Sequence, residues 1–279
     1  MTVVELPRLE IVPVAQVVPH ERHDEQRTPP LIHRIRASGV FRDPPIVMPL
    51  QDGSGRFMIL DGTNRTMAIR KMGLPHILVQ RVEPDDAGVS LKTWNHLVWG
   101  LPSQAWLQGI QQSLPLSLRQ VPLEEGYRAL HAQETLVVLS LPDGRAYAAE
   151  GLPSSVATRL EYLHRIVDSY IHRAHVDRTV SHRAAELREV HPDLAGVVIF
   201  PPFAVAQVLE AVAQGHLFPA GITRFTVAPR ALRLYYPLEA LAAADTLEEK
   251  NRELQRWVQE RLARKGVRFY AEPTVLFDE

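Results

Sequence analysis

The side chains best suited to chemistry on an anion lie in one line: Asp61-Gly62-Thr63-Asn64-Arg65, which closes the apolar run Ile59-Leu60 and leads into Thr66-Met67-Ala68-Ile69-Arg70-Lys71-Met72-Gly73. The apolar run predicts a strand, Asp-Gly a tight turn, and the following amphipathic pattern a helix over 64–72 that Gly73 stops. Such a junction aims unpaired backbone N–H groups and a partial positive charge at one point in space. Phosphate is the natural occupant. Gly62 has no Cβ to hinder close approach. The Thr63 hydroxyl and Asn64 amide can donate hydrogen bonds, and Arg65 in the first helical turn can fork onto phosphate oxygens. Asp61 is placed to hold a metal ion or to orient a reacting hydroxyl. The same residues would also make an ordinary strand-to-helix turn capped by Asp61.

The elements that must position this turn are legible around it. Leu9 to Val14 reads as a strand, and Thr28-Pro29-Pro30 opens a helix to about Ser38, with Thr28 as N-cap and Gly39 as stop. Pro45 to Leu50 and Arg56 to Leu60 read as a hairpin around the turn 51–55, and His76 to Val82 as a strand. The order β-α-β-β-α-β makes a compact α/β unit of residues 1–85, closed by the breaker cluster Glu83-Pro84-Asp85-Asp86-Ala87-Gly88. Residues 86–279 form a larger mixed α/β unit. Pro102 to Ser113 is helical, and Thr135 to Leu141 pairs with Arg145 to Glu150 across Pro142-Asp143-Gly144. Apolar spacing predicts a long helix from Ser154 to about His175. Gly196 to Phe200 is a buried strand, Ala204 to Gln214 a helix, and Arg224 to Val227 with Ala231 to Tyr235 a hairpin. Leu247 to Lys265 is an amphipathic helix ended by Gly266, with Val267 to Tyr270 as a final strand. The absence of a long linker implies that the two units pack on each other.

Composition removes several function classes. The 279 residues carry 31 basic and 32 acidic side chains, a net charge of −1, whereas a dedicated duplex-DNA binder usually has a strongly basic balance. With no cysteine there are no disulfides, thiolate metal sites or cysteine nucleophiles. No apolar run approaches the roughly 20 residues that span a bilayer, and the N-terminus Met1-Thr2-Val3-Val4-Glu5 does not read as a signal peptide. The expectation is a cytoplasmic protein without a membrane partner. The sequence carries no marker of oligomeric state. Among twelve histidines, His172 and His175 with His164 have a spacing that could place ligands on one helix face, but Arg165 and Arg173 beside them read as a solvated face.

The Asp61–Arg65 line resembles the Asp-Gly-His-His-Arg box of the ParB/sulfiredoxin fold, with Thr63 and Asn64 in place of the paired histidines. Ile11-Val12-Pro13-Val14 leading into His20-Glu21, then Ser90-Leu91-Lys92-Thr93-Trp94-Asn95-His96, then Pro219-Ala220-Gly221-Ile222-Thr223-Arg224-Phe225 occur in that order. Together they resemble the ParB-fold free L-serine kinases, some of which serve siderophore synthesis, over nearly the whole chain. The resemblance implies an α/β (α+β) architecture, a ParB/sulfiredoxin-like N-terminal domain packed on a larger mixed α/β domain. It implies phosphoryl transfer from ATP or ADP, with Mg²⁺, to free L-serine, giving O-phospho-L-serine. Asp61 would be catalytic and a metal ligand, and Gly62, Thr63, Asn64 and Arg65 would hold the nucleotide phosphates. Since neither replacement for the paired histidines can become cationic, more falls to Arg65 and the metal.

The resemblance makes Glu21 the general base. A carboxylate takes an alcohol's proton only as the hydroxyl acidifies in the transition state. Asp24 and Glu25 are the neighbouring alternatives, and on residues alone the stretch His20 to Glu25 equally reads as a solvated loop. Serine recognition falls to Thr93, Trp94, His96, Thr223 and Arg224. Arginine can fork onto the substrate carboxylate, and tryptophan can wall a small pocket or meet an ammonium. Each has a structural alternative: Trp94 as core, Arg224 as an edge charge, His96 as a satisfied histidine. The competing function is a ParB-like DNA-binding or nucleotide-responsive regulator, which would need a helix-turn-helix; the only stretch basic and helical enough is Thr179 to Val190.

Overall fold

The computed structural model describes residues 6–23 and 25–270. The chain opens with β1 (Arg8–Pro13), β2 (Val17–Val18), α1 (Thr28–Ser38), β3 (Val40–Phe41), β4 (Ile46–Pro49), β5 (Phe57–Asp61), α2 (Thr63–Lys71) and β6 (His76–Arg81). Five of these strands form a mixed sheet in the order β1-β6-β4-β5-β2. The β4–β5 pair is the expected antiparallel hairpin, while β4–β6 and β2–β5 are parallel. The run Phe57-Met58-Ile59-Leu60 is apolar throughout because β5 is buried on both faces. Met58 and Leu60 join one core cluster with Ile46 and Met48, while Ile59 joins another with Val47, Ile69 and Val79.

The chain continues through β7 (Val89–Thr93), β8 (Asn95–Trp99), α3 (Ser103–Ser113), β9 (Leu118–Val121), α4 (Leu123–His131), β10 (Val138–Ser140), β11 (Ala146–Ala149), α5 (Val156–Asp168), β12 (His175–Thr179), α6 (Ala184–Leu187), β13 (Leu194–Ile199) and α7 (Val205–Ala213). The order β12-β8-β13-β10-β11-β9 makes a second sheet, antiparallel throughout. Trp106 of α3 and Leu163 and Ile166 of α5 pack in one cluster with Val198 and with Ile46, Met48, Met58 and Leu60 of the first sheet. The two sheets thus share a continuous core. This fixes the placement of one sheet on the other by packing.

The last elements are β14 (Thr223–Val227), β15 (Tyr236–Pro237), α8 (Leu238–Ala242) and α9 (Leu247–Ala263). Strand β14 pairs with β7, and β15 with β3. Tyr236, Leu241 and Leu254 are buried in the first sheet's core, so the C-terminal segment of the stretch 86–279 returns to cover residues 1–85. Asn251 of α9 accepts from the Ile11 N–H at 2.9 Å and donates to the Ile11 carbonyl at 2.8 Å. It satisfies the open edge of β1 that another chain could otherwise pair with.

Several sequence expectations need correction. Helix α5 ends at Asp168, because the chain turns over 169–174 and His175–Thr179 is a strand on the edge of β8. At its other end Ser155 caps that helix, its side chain accepting from the Thr158 N–H. Thr28 lies inside α1 rather than capping it, with Arg27 at the cap position. The expected hairpin of 224–227 with 231–235 does not form: β14 is taken by β7, and 231–235 is irregular chain tied to Arg42 and Asp43. Residues 267–270 are not a strand. Between Thr179 and Val190 the only helix is the four-residue α6, so that stretch holds no helix-turn-helix. Among the described residues, no helix is long and apolar enough to cross a membrane.

Candidate active site

The strand-to-helix junction at Asp61–Arg65 is built as the local pattern implies. Gly62 sits at the N-cap of α2 with φ 97° and no side-chain cap, leaving the first-turn N–H groups of Thr63, Asn64 and Arg65 pointing outward. A Cβ at Gly62 would lie 2.7 Å from Arg65 Nη2 and 2.8 Å from Pro45 Cβ, so only glycine fits. Asp61 does not cap the helix. Its Oδ2 accepts from Arg65 Nη2 at 3.2 Å and from Arg230 Nη2. Burial raises the Asp61 pKa, but the two guanidinium groups more than offset it and hold the carboxyl below the ordinary aspartate range. Asn64 Oδ1 and Arg65 Nε are buried without a hydrogen-bond partner in the protein. The open Arg65 Nε donor beside bare helix N–H groups suits an anionic ligand.

Arg230 escaped the sequence reading. Its loop is held by Gln80, almost fully buried, whose side chain donates to the Pro229 carbonyl and accepts from the Ala231 N–H, both at 2.8 Å. A buried glutamine in an apolar strand is the only local signal, and it names no partner in advance.

Glu21 is brought in by a parallel bridge to Phe218. The Phe218 N–H donates to the His20 carbonyl at 2.7 Å, and the Arg22 N–H to the Phe218 carbonyl at 2.9 Å. The following loop then wraps the carboxylate. Oε2 accepts from the Gly221 N–H at 2.8 Å, and Oε1 from the Thr223 N–H at 2.7 Å and from the Thr223 hydroxyl. Gly221 is at φ 77°, and a Cβ there would meet the Arg178 guanidinium at 2.6 Å. Three donors on one carboxylate hold it in a single orientation. Glu21 is therefore no solvated loop residue. Glu25 is exposed ahead of α1, and Asp24 lies outside the described residues.

Strand pairing sets Thr223 opposite Thr93 and Arg224 opposite Lys92. The Trp94 N–H donates to the Ile222 carbonyl, and the Arg224 guanidinium stacks 4.2 Å from the Trp94 ring centroid. Thr223 thus meets Glu21, while Arg224, on the alternate face of β14, pairs with Trp94. Two expected substrate contacts are spent elsewhere. The Thr93 hydroxyl donates to the Pro201 carbonyl at 3.2 Å. His96 is buried, 2.8 Å from the Tyr170 hydroxyl and packed on Phe200, and burial pushes its imidazole down to about 4 against the opposing pull of the Gly221 and Ala220 carbonyls. A neutral histidine under the 220–221 loop supports that loop, which is the structural alternative for His96. The histidine trio 164, 172 and 175 does not assemble on one helix, and no group of three or more metal-ligating side chains occurs among the described residues.

No family model matches the chain. It is 25% identical over 278 residues, 97% of each chain, to the ATP-dependent L-serine kinase SbnI of Staphylococcus aureus. The chain is a relative of the L-serine kinases. An ATP-dependent L-serine kinase of Staphylothermus marinus is 30% identical over 90 residues, 32% of this chain and 35% of that one. Two solved structures share the fold. C-terminally truncated SbnI covers 91% of this chain and 97% of its own at TM-score 0.71 and 23% identity. A free serine kinase in complex with AMP covers 85% and 95% at TM-score 0.70 and 17% identity. These matches run through both sheets.

Proposed function

We propose that the protein transfers the γ-phosphoryl group of ATP to free L-serine, giving O-phospho-L-serine. The observation that supports this reading is the carboxylate of Glu21, fixed by Gly221 and Thr223 and tied through Thr223 and His20 to Ile59, two residues before the Asp61–Arg65–Arg230 cluster. In this reading Arg224 receives the serine carboxylate and Trp94 walls the pocket. The serine hydroxyl loses its proton to Glu21 as its oxygen bonds the γ-phosphorus. The bond from that phosphorus to the bridging oxygen breaks, and ADP leaves. Charge on the transferring group is met by the N–H groups of residues 63–65 and by Arg65 and Arg230, since positioning and electrostatics carry most of phosphoryl transfer. The open Arg65 Nε supplies one more donor to a phosphate.

Asp61 fits Mg²⁺, which one or two carboxylates and substrate phosphates ordinarily hold; the ion would screen phosphate charge. Residues 1–85 would bind the nucleotide phosphates, and residues 86–279 would complete the serine cleft while lending α8 and α9 back to the first sheet. We place the activity in the cytoplasm, where ATP and free serine meet. Mass spectrometry of the product formed from serine, Mg²⁺ and either ATP or ADP tests the reading. Mass gain on serine with ATP is expected, and ADP in its place distinguishes the donor. No O-phosphoserine with either donor, from folded protein, refutes it.

A further inference from the structure

His20 is buried in the site, and the reaction above gives it nothing to do. Its Nδ1 lies 2.5 Å from the Ile59 carbonyl, and its Nε2 lies 2.6 Å from Thr223 Oγ1. A carbonyl oxygen only accepts, so Nδ1 carries a proton. Burial lowers the pKa of the ring, with Glu21, the Ile59 carbonyl and Asp61 pulling the other way. The neutral ring therefore presents Nε2 to Thr223 as an acceptor. Thr223 Oγ1 also touches Glu21 Oε1. One hydroxyl proton thus has two acceptors, one on each side.

We infer that His20 is a positioning residue for Glu21, acting through the Thr223 hydroxyl. The inference rests on the serine kinase reading above. While Glu21 is ionised, the Thr223 proton faces Oε1 and holds the carboxylate in place. When Glu21 carries a proton, an O–H at Oε1 donates to Thr223 Oγ1, the Thr223 proton turns to His20 Nε2, and Nδ1–H stays on Ile59. Every donor keeps an acceptor, and no proton is gained or lost in the exchange. Without the ring, Thr223 can serve only the ionised form. The same ring ties the base to β5 two residues before Asp61, so the base and the phosphate turn share one rigid connection. Phe225 closes the edge of the ring at a 5.4 Å centroid separation, leaving it one orientation.

The test compares His20→Gln, His20→Asn and His20→Leu in the full-length protein, each checked for folding by thermal melting. The Gln side-chain carbonyl can stand where Nε2 stands and accept from Thr223. Asn keeps only a donor for Ile59, and Leu keeps neither contact. Loss of base alignment should lower kcat by about 10- to 100-fold in His20→Asn and His20→Leu, with His20→Gln retaining most activity and nucleotide Kd unchanged in all three. In a Glu21→Gln background, His20→Asn should cost less than about threefold further, because residues acting as one unit are not additive. Folded His20→Asn with wild-type kcat overturns the inference, as does a full additional loss on top of Glu21→Gln. Either result leaves the kinase reading standing if the unaltered protein makes phosphoserine.

Discussion

Asp61→Asn should tighten metal-free nucleotide binding while impairing turnover with Mg²⁺. In the structure one carboxylate oxygen holds both guanidinium groups, from Arg65 and Arg230, that the proposed mechanism assigns to the phosphates. An incoming nucleotide must first displace this internal anion. The Asp61 side chain is 47% exposed, so each ion pair falls in the range of solvent-screened pairs, about 0.2–1 kcal/mol. Releasing two pairs corresponds to about 0.4–2 kcal/mol, or roughly a two- to thirty-fold fall in Kd. Titration calorimetry with ADP in EDTA measures it directly. With Mg²⁺ present the sign should reverse in turnover, since the amide offers a metal ion no charge. Weaker ADP binding by Asp61→Asn in EDTA would refute the competition argument, and wild-type turnover with Mg²⁺ would remove Asp61 from the metal site.

Glu21→Gln keeps shape but cannot accept a proton, so kcat should fall about 10²–10⁴-fold in a coupled ADP-release assay, with nucleotide Kd unmoved. Gly62→Ala places a Cβ against Arg65 and Pro45 at a positive φ; it should cost about 1–2 kcal/mol in denaturant melts and weaken nucleotide binding, and an unchanged Kd would discount the close-approach argument. Arg224→Lys keeps the charge but loses the planar stack on Trp94, so the serine KM should rise about tenfold while ATP binding holds. His96 is buried with a pKa of about 4 against the ordinary 6.5. A depressed folded-state pKa means stability is present above the ordinary value and lost as pH falls through the interval. Urea melts should therefore show stability declining from pH 6.5 toward pH 4 by up to one proton's slope, and His96→Phe should flatten that decline.

What the sequence made legible is what depends on neighbours in the chain. The phosphate turn could be read because an apolar run, Asp-Gly and a helical period follow without a gap, and the structure builds β5, Gly62 and α2 in that register. The 46–61 hairpin and the 138–149 hairpin were legible for the same reason, each having a turn signal between β-rich runs. The helix predicted across 154–175 failed where local pattern and sheet pairing compete. His175 to Thr179 pairs along the whole of β8, so the chain leaves the helix at Asp168 to reach that edge, and long-range pairing overrides weak local propensity.

The site itself was half legible, and the division has a physical cause. Glu21, Trp94 and Thr223-Arg224 were reached through motif order, but nothing in the composition of 20–25 distinguishes a wrapped carboxylate from a solvated one. That difference is made by the N–H groups of Gly221 and Thr223, about two hundred residues away. Arg230 is likewise placed by Gln80 rather than by its own neighbours. Both cases share a form: a side chain on an irregular segment, held by polar contacts to residues distant in the sequence. His20 belongs to the same class, a buried ring bridging Ile59 of β5 to Thr223 of β14. Buried polar side chains must find partners, so Gln80, at the end of the apolar run Ile77-Leu78-Val79, was the sequence's indirect record of where the distant loop would dock, whereas His20 sits in a polar stretch that carries no such mark.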